Sequence, residues 1–288
     1  VGLVDELLVM NRLQDIGYTV EHSRSLYGIL TGAVNTLVNM PSVISMALCM
    51  SLVPAIAEAR ARGDQAAVQQ RMSLGLKLAV LIGLPAAVGM GLLAKPIIEL
   101  LYGAAFTEQK VEIAAHLLTA MSAAVFFLTV VQTLNGILQG LGQVMVPVLS
   151  LGVGAVLKII INYALVGNPA INIYGAPVGT VACYLVASLI NLCMLGRATA
   201  VRWNWGKLFG PPCLAALGMG VVVWGMDALL LESLGPKAVA LLGVTAGAVV
   251  YGVLLLLTGA IGKEELAYLP GGSKLKRFIR DKRGKHQA

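Results

Sequence analysis

The sequence predicts an all-α fold, a polytopic bundle of transmembrane helices. Three observations lead there. Of 288 residues, 58% are hydrophobic and 12% charged, half the roughly 25% charged share of a soluble domain. A mean hydropathy of +0.83 cannot be hidden in one water-soluble core, because too little polar sequence remains to cover it. The apolar runs are continuous over about 20 residues, the length a helix needs to cross a bilayer. Strands of a membrane barrel would instead alternate apolar and polar residues over about ten positions.

Taken in order, the first stretch, Val1 to Leu13, is too short for a span and carries Asp5, Glu6 and Arg12. It reads as the end of a truncated helix, so the chain is expected to be a piece of a longer one; Val1 in place of Met points the same way. Seven full spans follow, centred on residues 26–57, 73–94, 112–138, 144–166, 175–196, 208–231 and 237–261. Connections are short and leave no room for a soluble domain. Prolines at 41, 54, 85, 96, 147 and 177 predict kinked helices. G-x-x-x-G spacings at Gly28/Gly32, Gly136/Gly140, Gly175/Gly179 and Gly243/Gly247 suit close helix packing, in a chain with 33 glycines.

Charge placement orients the bundle. Fourteen of the 21 basic residues fall on one side: Arg60, Arg62 and Arg71; Arg197, Arg202 and Lys207; and eight from Lys263 to Lys285. Four lie opposite (Arg24, Lys95, Lys110, Lys237) and three within spans (Arg12, Lys77, Lys158). The basic side, with the C-terminus, is therefore expected in the cytoplasm. Trp203 and Trp205 suit an interfacial anchor there. The tail SKLKRFIRDKRGK either lies on anionic headgroups or is solvated. With the basic residues distributed this way, the net charge of +7 speaks for membrane orientation and not for nucleic acid.

Polar residues inside spans are the pointers to function, because each needs a partner or water. Lys158, in VLKIIINYAL, lies eight residues from the end of its span, about 12 Å deep at 1.5 Å per residue. It faces either a substrate cavity or a structural carboxylate partner, and Asn162 shares its helix face one turn on. Asn35 and Asn39 are likewise one turn apart, beside Pro41. Gln132, Asn135 and Gln139 line one face of a later span. These amides serve either a cavity or interhelical hydrogen bonds. Arg12 meets either a phosphate or Asp15, and Asp227, near a span end, reads as structural. The four cysteines, Cys49, Cys183, Cys193 and Cys213, have no C-x-x-C spacing and read as small core residues. Nothing marks an enzyme, a metal site or a cofactor: the sequence has no G-x-S-x-G, H-E-x-x-H or Walker loop, and its three histidines are far apart.

The stretches NMPSVISMALCMSLVPAIAEARARGD, GLPAAVGMGLLAKPIIELLYG and KIIINYALVGNPAINIYGAPVGTVACY, with VDELLVMNRLQDIG at the start, resemble the multidrug/oligosaccharidyl-lipid/polysaccharide exporter superfamily. Within it they are most similar to the branch of stage V sporulation protein B and the polysaccharide exporters. The resemblance implies spans seven to fourteen of a fourteen-span, two-lobe flippase. Residues 1–200 would form the C-terminal six-helix lobe with its first helix truncated, 201–262 a final pair of helices, and 263–288 a basic cytoplasmic tail. It implies an undecaprenyl-linked saccharide or peptidoglycan precursor as cargo, moved by alternating access across the bacterial cytoplasmic membrane, and a missing N-terminal lobe as partner alongside membrane lipids. The polar residues above become candidate cavity residues. Lipid II flippases carry an Asp-Arg pair shortly before the span-eight proline, where this chain has Asn35 and Thr36, so that arginine's anion-binding role does not transfer. The alternatives are a multidrug or cation antiporter of the related fold, a membrane glycosyltransferase or polymerase, and a non-transporting scaffold. Basic Lys158 and Arg12 favour an anionic cargo. A glycosyltransferase would need large extracytoplasmic loops, and the longest here is residues 95–111.

Overall fold

In lipid every backbone N–H and C=O must be satisfied within the segment, which leaves the continuous helix as the form these apolar runs adopt. A computed structural model describes residues 2–199 and 205–258, and those residues form helices joined by short turns. The sequence places Trp203 and the basic tail outside the described residues.

Helix α1 (Gly2–Asp15) is followed by α2 (Val20–Gly28), which continues through a π-turn at Ile29–Val34 into α3 (Asn35–Ala61). Then come α4 (Gln65–Leu92), α5 (Ala94–Tyr102), α6 (Glu108–Gly140), α7 (Met145–Val166), a short 3-10 turn at Asn172–Tyr174, α8 (Gly175–Thr199) and α9 (Trp205–Leu257). Helix α9 is broken at Gly235, whose φ of 73° starts a sharp bend completed by Pro236. Among the described residues, seven segments are long and apolar enough to cross a membrane: Val20–Ala61, Gln65–Leu92, Glu108–Gly140, Met145–Val166, Asn172–Thr199, Leu208–Leu229 and Gly235–Leu257. They coincide with the seven expected spans. The connection at 95–111 differs from a plain loop, because it holds α5, whose Ala94, Pro96 and Ile98 are buried.

Local chemistry sets the ends. Thr19 caps α2 by accepting from the His22 N–H at 3.2 Å, and Asp64 caps α4 by accepting from the Ala67 N–H at 2.9 Å. Arg71 donates to the Ala55 carbonyl across the α3–α4 turn.

Helix α6 is the most buried span and packs against α3, α4 and α8. Lipid is as apolar as leucine, so helices associate in it through close packing and hydrogen bonds instead of the hydrophobic effect. Gly140 shows how: a Cβ there would lie 2.9 Å from Ile56 Cβ and 3.0 Å from the Val53 carbonyl of α3. Gly136, one turn earlier, faces Cys49 of α3, and Gly154 of α7 faces the Cys183 carbonyl of α8. Gly28 and Gly32 pack against nothing, so that pair follows the spacing without the contact.

The second half of α9 is fastened to α4 by another device. Pro85 has no N–H to give the Leu81 carbonyl, and the buried Tyr251 hydroxyl donates to that carbonyl at 3.0 Å. Around it Leu78, Leu93, Ala216, Met219, Val223 and Leu255 form a separate apolar cluster. The outward faces of α3, α7 and α9 carry exposed Met50, Val148, Leu149 and Leu217, which suits a bilayer as solvent.

Candidate functional site

Helices α1 and α7 run side by side, and a buried charge centre lies between them. Lys158 Nζ donates to Asp5 Oδ2 at 2.8 Å, and Asn162 Nδ2 donates to Asp5 Oδ1 at 2.8 Å. Two donors one turn apart on α7 thus hold one α1 carboxylate. The Lys158 and Asp5 side chains are 16% and 14% exposed, and Asn162 is fully buried. Pairing is what allows an ammonium at this depth, since an isolated buried charge costs several kcal/mol. The partly unmet group is Asn162 Oδ1, which is buried without a hydrogen-bond partner. It faces Gly179 of α8, where any Cβ would collide with it.

Arg12 lies seven residues beyond Asp5, on the same face of α1. Its guanidinium bridges to Asp15 Oδ2 at 2.9 Å, donates from Nε to the Tyr163 carbonyl at 3.2 Å, and sits 4.1 Å from the Tyr163 ring centroid. Tyr163 belongs to the last turn of α7, whose carbonyls lack helical partners, so Arg12 caps α7 from the neighbouring helix. Between the alternatives open to the two basic residues, each is found with a carboxylate.

The remaining candidates sit elsewhere. Asn191 of α8 donates to Asn135 Oδ1 of α6 at 2.8 Å. Gln132, one turn from Asn135, has a buried Oε1 without a partner, as has Asn191 Oδ1. Asn35 stands half-buried where the π-turn enters α3, and Asn39 and Gln139 are exposed. Among the described residues no hydrogen bond joins these amides to the Lys158 centre. Asp227 lies two residues inside the end of the Leu208–Leu229 span, with a buried carboxylate oxygen unpartnered. No three His, Cys, Asp or Glu side chains converge as metal ligands among the described residues.

Three residues at these centres escaped sequence reasoning. Asp5 read only as one of the charges on the truncated first helix, yet its seven-residue spacing from Arg12 already put both on one face. Asn191 and Tyr163 carried weaker signals: a single amide in an apolar run, and a backbone carbonyl that no side-chain pattern reveals.

Seven helices long and apolar enough to cross a bilayer, among the described residues, define a polytopic membrane protein. The model of the family described as Lipid II flippase MurJ matches residues 34–245, and the chain belongs to that family. The matched range includes Lys158 and Asn162 and leaves out Asp5 and Arg12. Among curated relatives, the uncharacterized membrane protein YabM of Bacillus subtilis (strain 168) is 28% identical, over 97% of this chain and 52% of its own length. Stage V sporulation protein B of the same organism is 26% identical, over 92% and 50%. The chain therefore spans about half the length of these relatives. Among solved structures, the lipid II flippase MurJ in an inward closed conformation superposes with a TM-score of 0.67 at 16% identity, over 88% of this chain and 50% of that one. MATE in the bent conformation gives a TM-score of 0.57 at 18% identity, over 92% and 62%. At such identities the likeness concerns the fold alone.

Proposed function

We propose that the chain is the C-terminal lobe, with two further helices, of a flippase that moves an undecaprenyl-linked saccharide across the bacterial cytoplasmic membrane by alternating access. Its C-terminus is cytoplasmic, and it serves cell-wall, spore-cortex or surface-polysaccharide synthesis. The observation that carries this is the family match over residues 34–245. The physics agrees with it: a diphosphate-sugar headgroup needs a polar route while its prenyl tail stays in lipid. Lys158, Asn162 and Arg12 are the anion-facing groups of that route, and Asn35, Asn39, Gln132 and Asn135 its neutral polar lining. Residues 1–200 act as one lobe, 201–262 as the added helix pair and 263–288 as a basic tail. The partner against which the lobe rocks is a second lobe. The fold likeness to MATE raises a cation antiporter as second reading. A cation site favours acidic residues, whereas the intramembrane charges include the basic Lys158 and Arg12, which favours the anionic cargo.

Complementation of a flippase-deficient strain tests the role. The chain alone inserts in the membrane and fails to rescue, and co-expression with the upstream half of its protein restores growth. Rescue by the chain alone overturns the two-lobe mechanism, and failure of the joined halves overturns the flippase role.

A further inference from the structure

We propose that the end of the bundle opposite the α3–α4 turn binds a zwitterionic phospholipid. Its phosphoethanolamine headgroup sits between α5, α6 and the bend of α9, and one acyl chain lies in the apolar cleft beneath. This is a lipid of the surrounding membrane and not the cargo, so the site stands apart from the flippase role.

The headgroup site is a cavity of about 370 Å³, within the range of small-ligand pockets. Three charged side chains line it: Glu99 of α5, Glu108 in the first turn of α6, and Lys237 just past the α9 bend. Glu108 opens the Glu108–Gly140 span and Lys237 is two residues into Gly235–Leu257, so the cavity lies where hydrocarbon gives way to headgroups. Among the described residues, none of these three side chains makes an ion pair or hydrogen bond. Two carboxylates and an ammonium therefore face one cavity beyond ion-pair reach of each other, and a molecule carrying both signs bridges them. The primary ammonium of phosphoethanolamine donates to Glu99 and Glu108, and its phosphate accepts from Lys237, all as charge-assisted hydrogen bonds. A metal ion fits poorly because Lys237 repels it. An anionic headgroup fits poorly because it meets two carboxylates and only one ammonium.

The same two helices, α5 and α9, continue into an apolar cleft of about 250 Å³. Ile97, two residues before Glu99, lines it, as do Gly243 and Gly247, six and ten residues after Lys237. Those glycines lie roughly 9 and 15 Å below Lys237 at about 1.5 Å per residue. The cleft is thus about one leaflet deep in a hydrocarbon core about 30 Å thick. Val244 on its rim is 53% exposed, so the cleft opens sideways to lipid. Gly89 of α4 also lines it, and a Cβ there would meet nothing within 4 Å.

A two-signed cavity above an apolar cleft, on the same helices, matches a phospholipid and not a soluble zwitterion. Helices in lipid associate through close packing, and at this cleft α9 leaves a gap against α4 and α5. An acyl chain fills the gap, and the headgroup ties Lys237 of α9 to Glu99 of α5. The bound lipid thereby fastens the second half of α9 to the rest of the bundle.

The experiment uses the full-length protein, purified in detergent and stripped of lipid. It is titrated with dioleoyl phosphatidylethanolamine, phosphatidylcholine and phosphatidylglycerol, and with O-phosphoethanolamine as the headgroup without chains. Binding is read by native mass spectrometry and by the shift in thermal unfolding. Phosphatidylethanolamine is expected to bind about tenfold tighter than phosphatidylglycerol, and tighter than phosphatidylcholine, whose quaternary ammonium has no N–H to donate. O-phosphoethanolamine is expected to bind about 100-fold more weakly than the lipid. Glu99→Gln/Glu108→Gln is expected to erase the preference over phosphatidylglycerol, and Lys237→Gln to weaken phosphatidylethanolamine about tenfold. Gly89→Leu places a side chain in the cleft and is expected to weaken all three lipids alike. Equal binding of phosphatidylethanolamine and phosphatidylglycerol by wild type, or a preference that survives Glu99→Gln/Glu108→Gln, overturns the proposal and leaves three solvated charges. Unchanged lipid binding in Gly89→Leu, or O-phosphoethanolamine binding as tightly as the lipid, overturns it as well. If the double variant fails to fold, Lys237→Gln and Gly89→Leu decide, and unchanged phosphatidylethanolamine binding in either refutes the site.

Discussion

Replacing Tyr251 with Phe deletes one hydroxyl from a site that the ring still fills, so the change isolates a single hydrogen bond. The acceptor is the Leu81 carbonyl, 3.0 Å away, and Tyr251 is 7% exposed, so no water replaces the lost donor. The usual helical donor for that carbonyl would be residue 85, which is proline and has none. Leaving a buried acceptor unmet costs about 1–3 kcal/mol, whereas interhelical hydrogen bonds in membranes average about 0.6 and reach about 1.7 kcal/mol. Because the i+4 donor is missing at Pro85, Tyr251→Phe is expected near the upper end, about 1–2 kcal/mol. The Pro85→Ala background supplies the missing N–H, and there the same change is expected to cost less than about 0.5 kcal/mol. The assay is reversible SDS-induced unfolding of the purified chain in mixed micelles, run as a double-mutant cycle. Equal costs in the two backgrounds, within about 0.3 kcal/mol, would refute the view that Tyr251 stands in for the N–H that Pro85 lacks.

Two further outcomes are expected. Gly140→Ala places a methyl 3.0 Å from the Val53 carbonyl and 2.9 Å from Ile56 Cβ, so α3 has to shift at a cost of about 1–3 kcal/mol. Gly28→Ala meets nothing within 4 Å and is expected to be neutral or stabilising by up to about 1 kcal/mol; thermal unfolding in detergent compares the two, and equal losses would contradict the packing described. On a cysteine-free background, Glu108→Cys is expected to react with an impermeant thiol reagent in intact cells and Asp64→Cys only after permeabilisation. Labelling at position 64 in intact cells would reverse the orientation drawn from the basic residues.

The seven spans were legible in the sequence because bilayer thickness turns a three-dimensional requirement into a run length, and a run length is a property of the chain alone. For the same reason Lys158, Asn162 and Gln132 stood out: a polar side chain inside an apolar run is visible without knowing its neighbours. Their partners were not visible. Asp5 is 153 residues from Lys158, Asn191 is 56 from Asn135, and Tyr251 is 170 from Leu81. A helix that is apolar all round carries no stripe that says which face meets protein and which meets lipid. Four G-x-x-x-G pairs therefore looked alike, and only packing separated Gly136/Gly140, which seat α3, from Gly28/Gly32, which seat nothing. The π-turn at Ile29–Val34 and helix α5 within residues 95–111 were tertiary decisions as well. Composition and run length decided that this is a multi-pass membrane protein and which segments are long enough to span; the choice of partner for each buried charge and carbonyl was left to tertiary packing, because a polar group in lipid bonds to whichever complementary group the packed helices bring within reach.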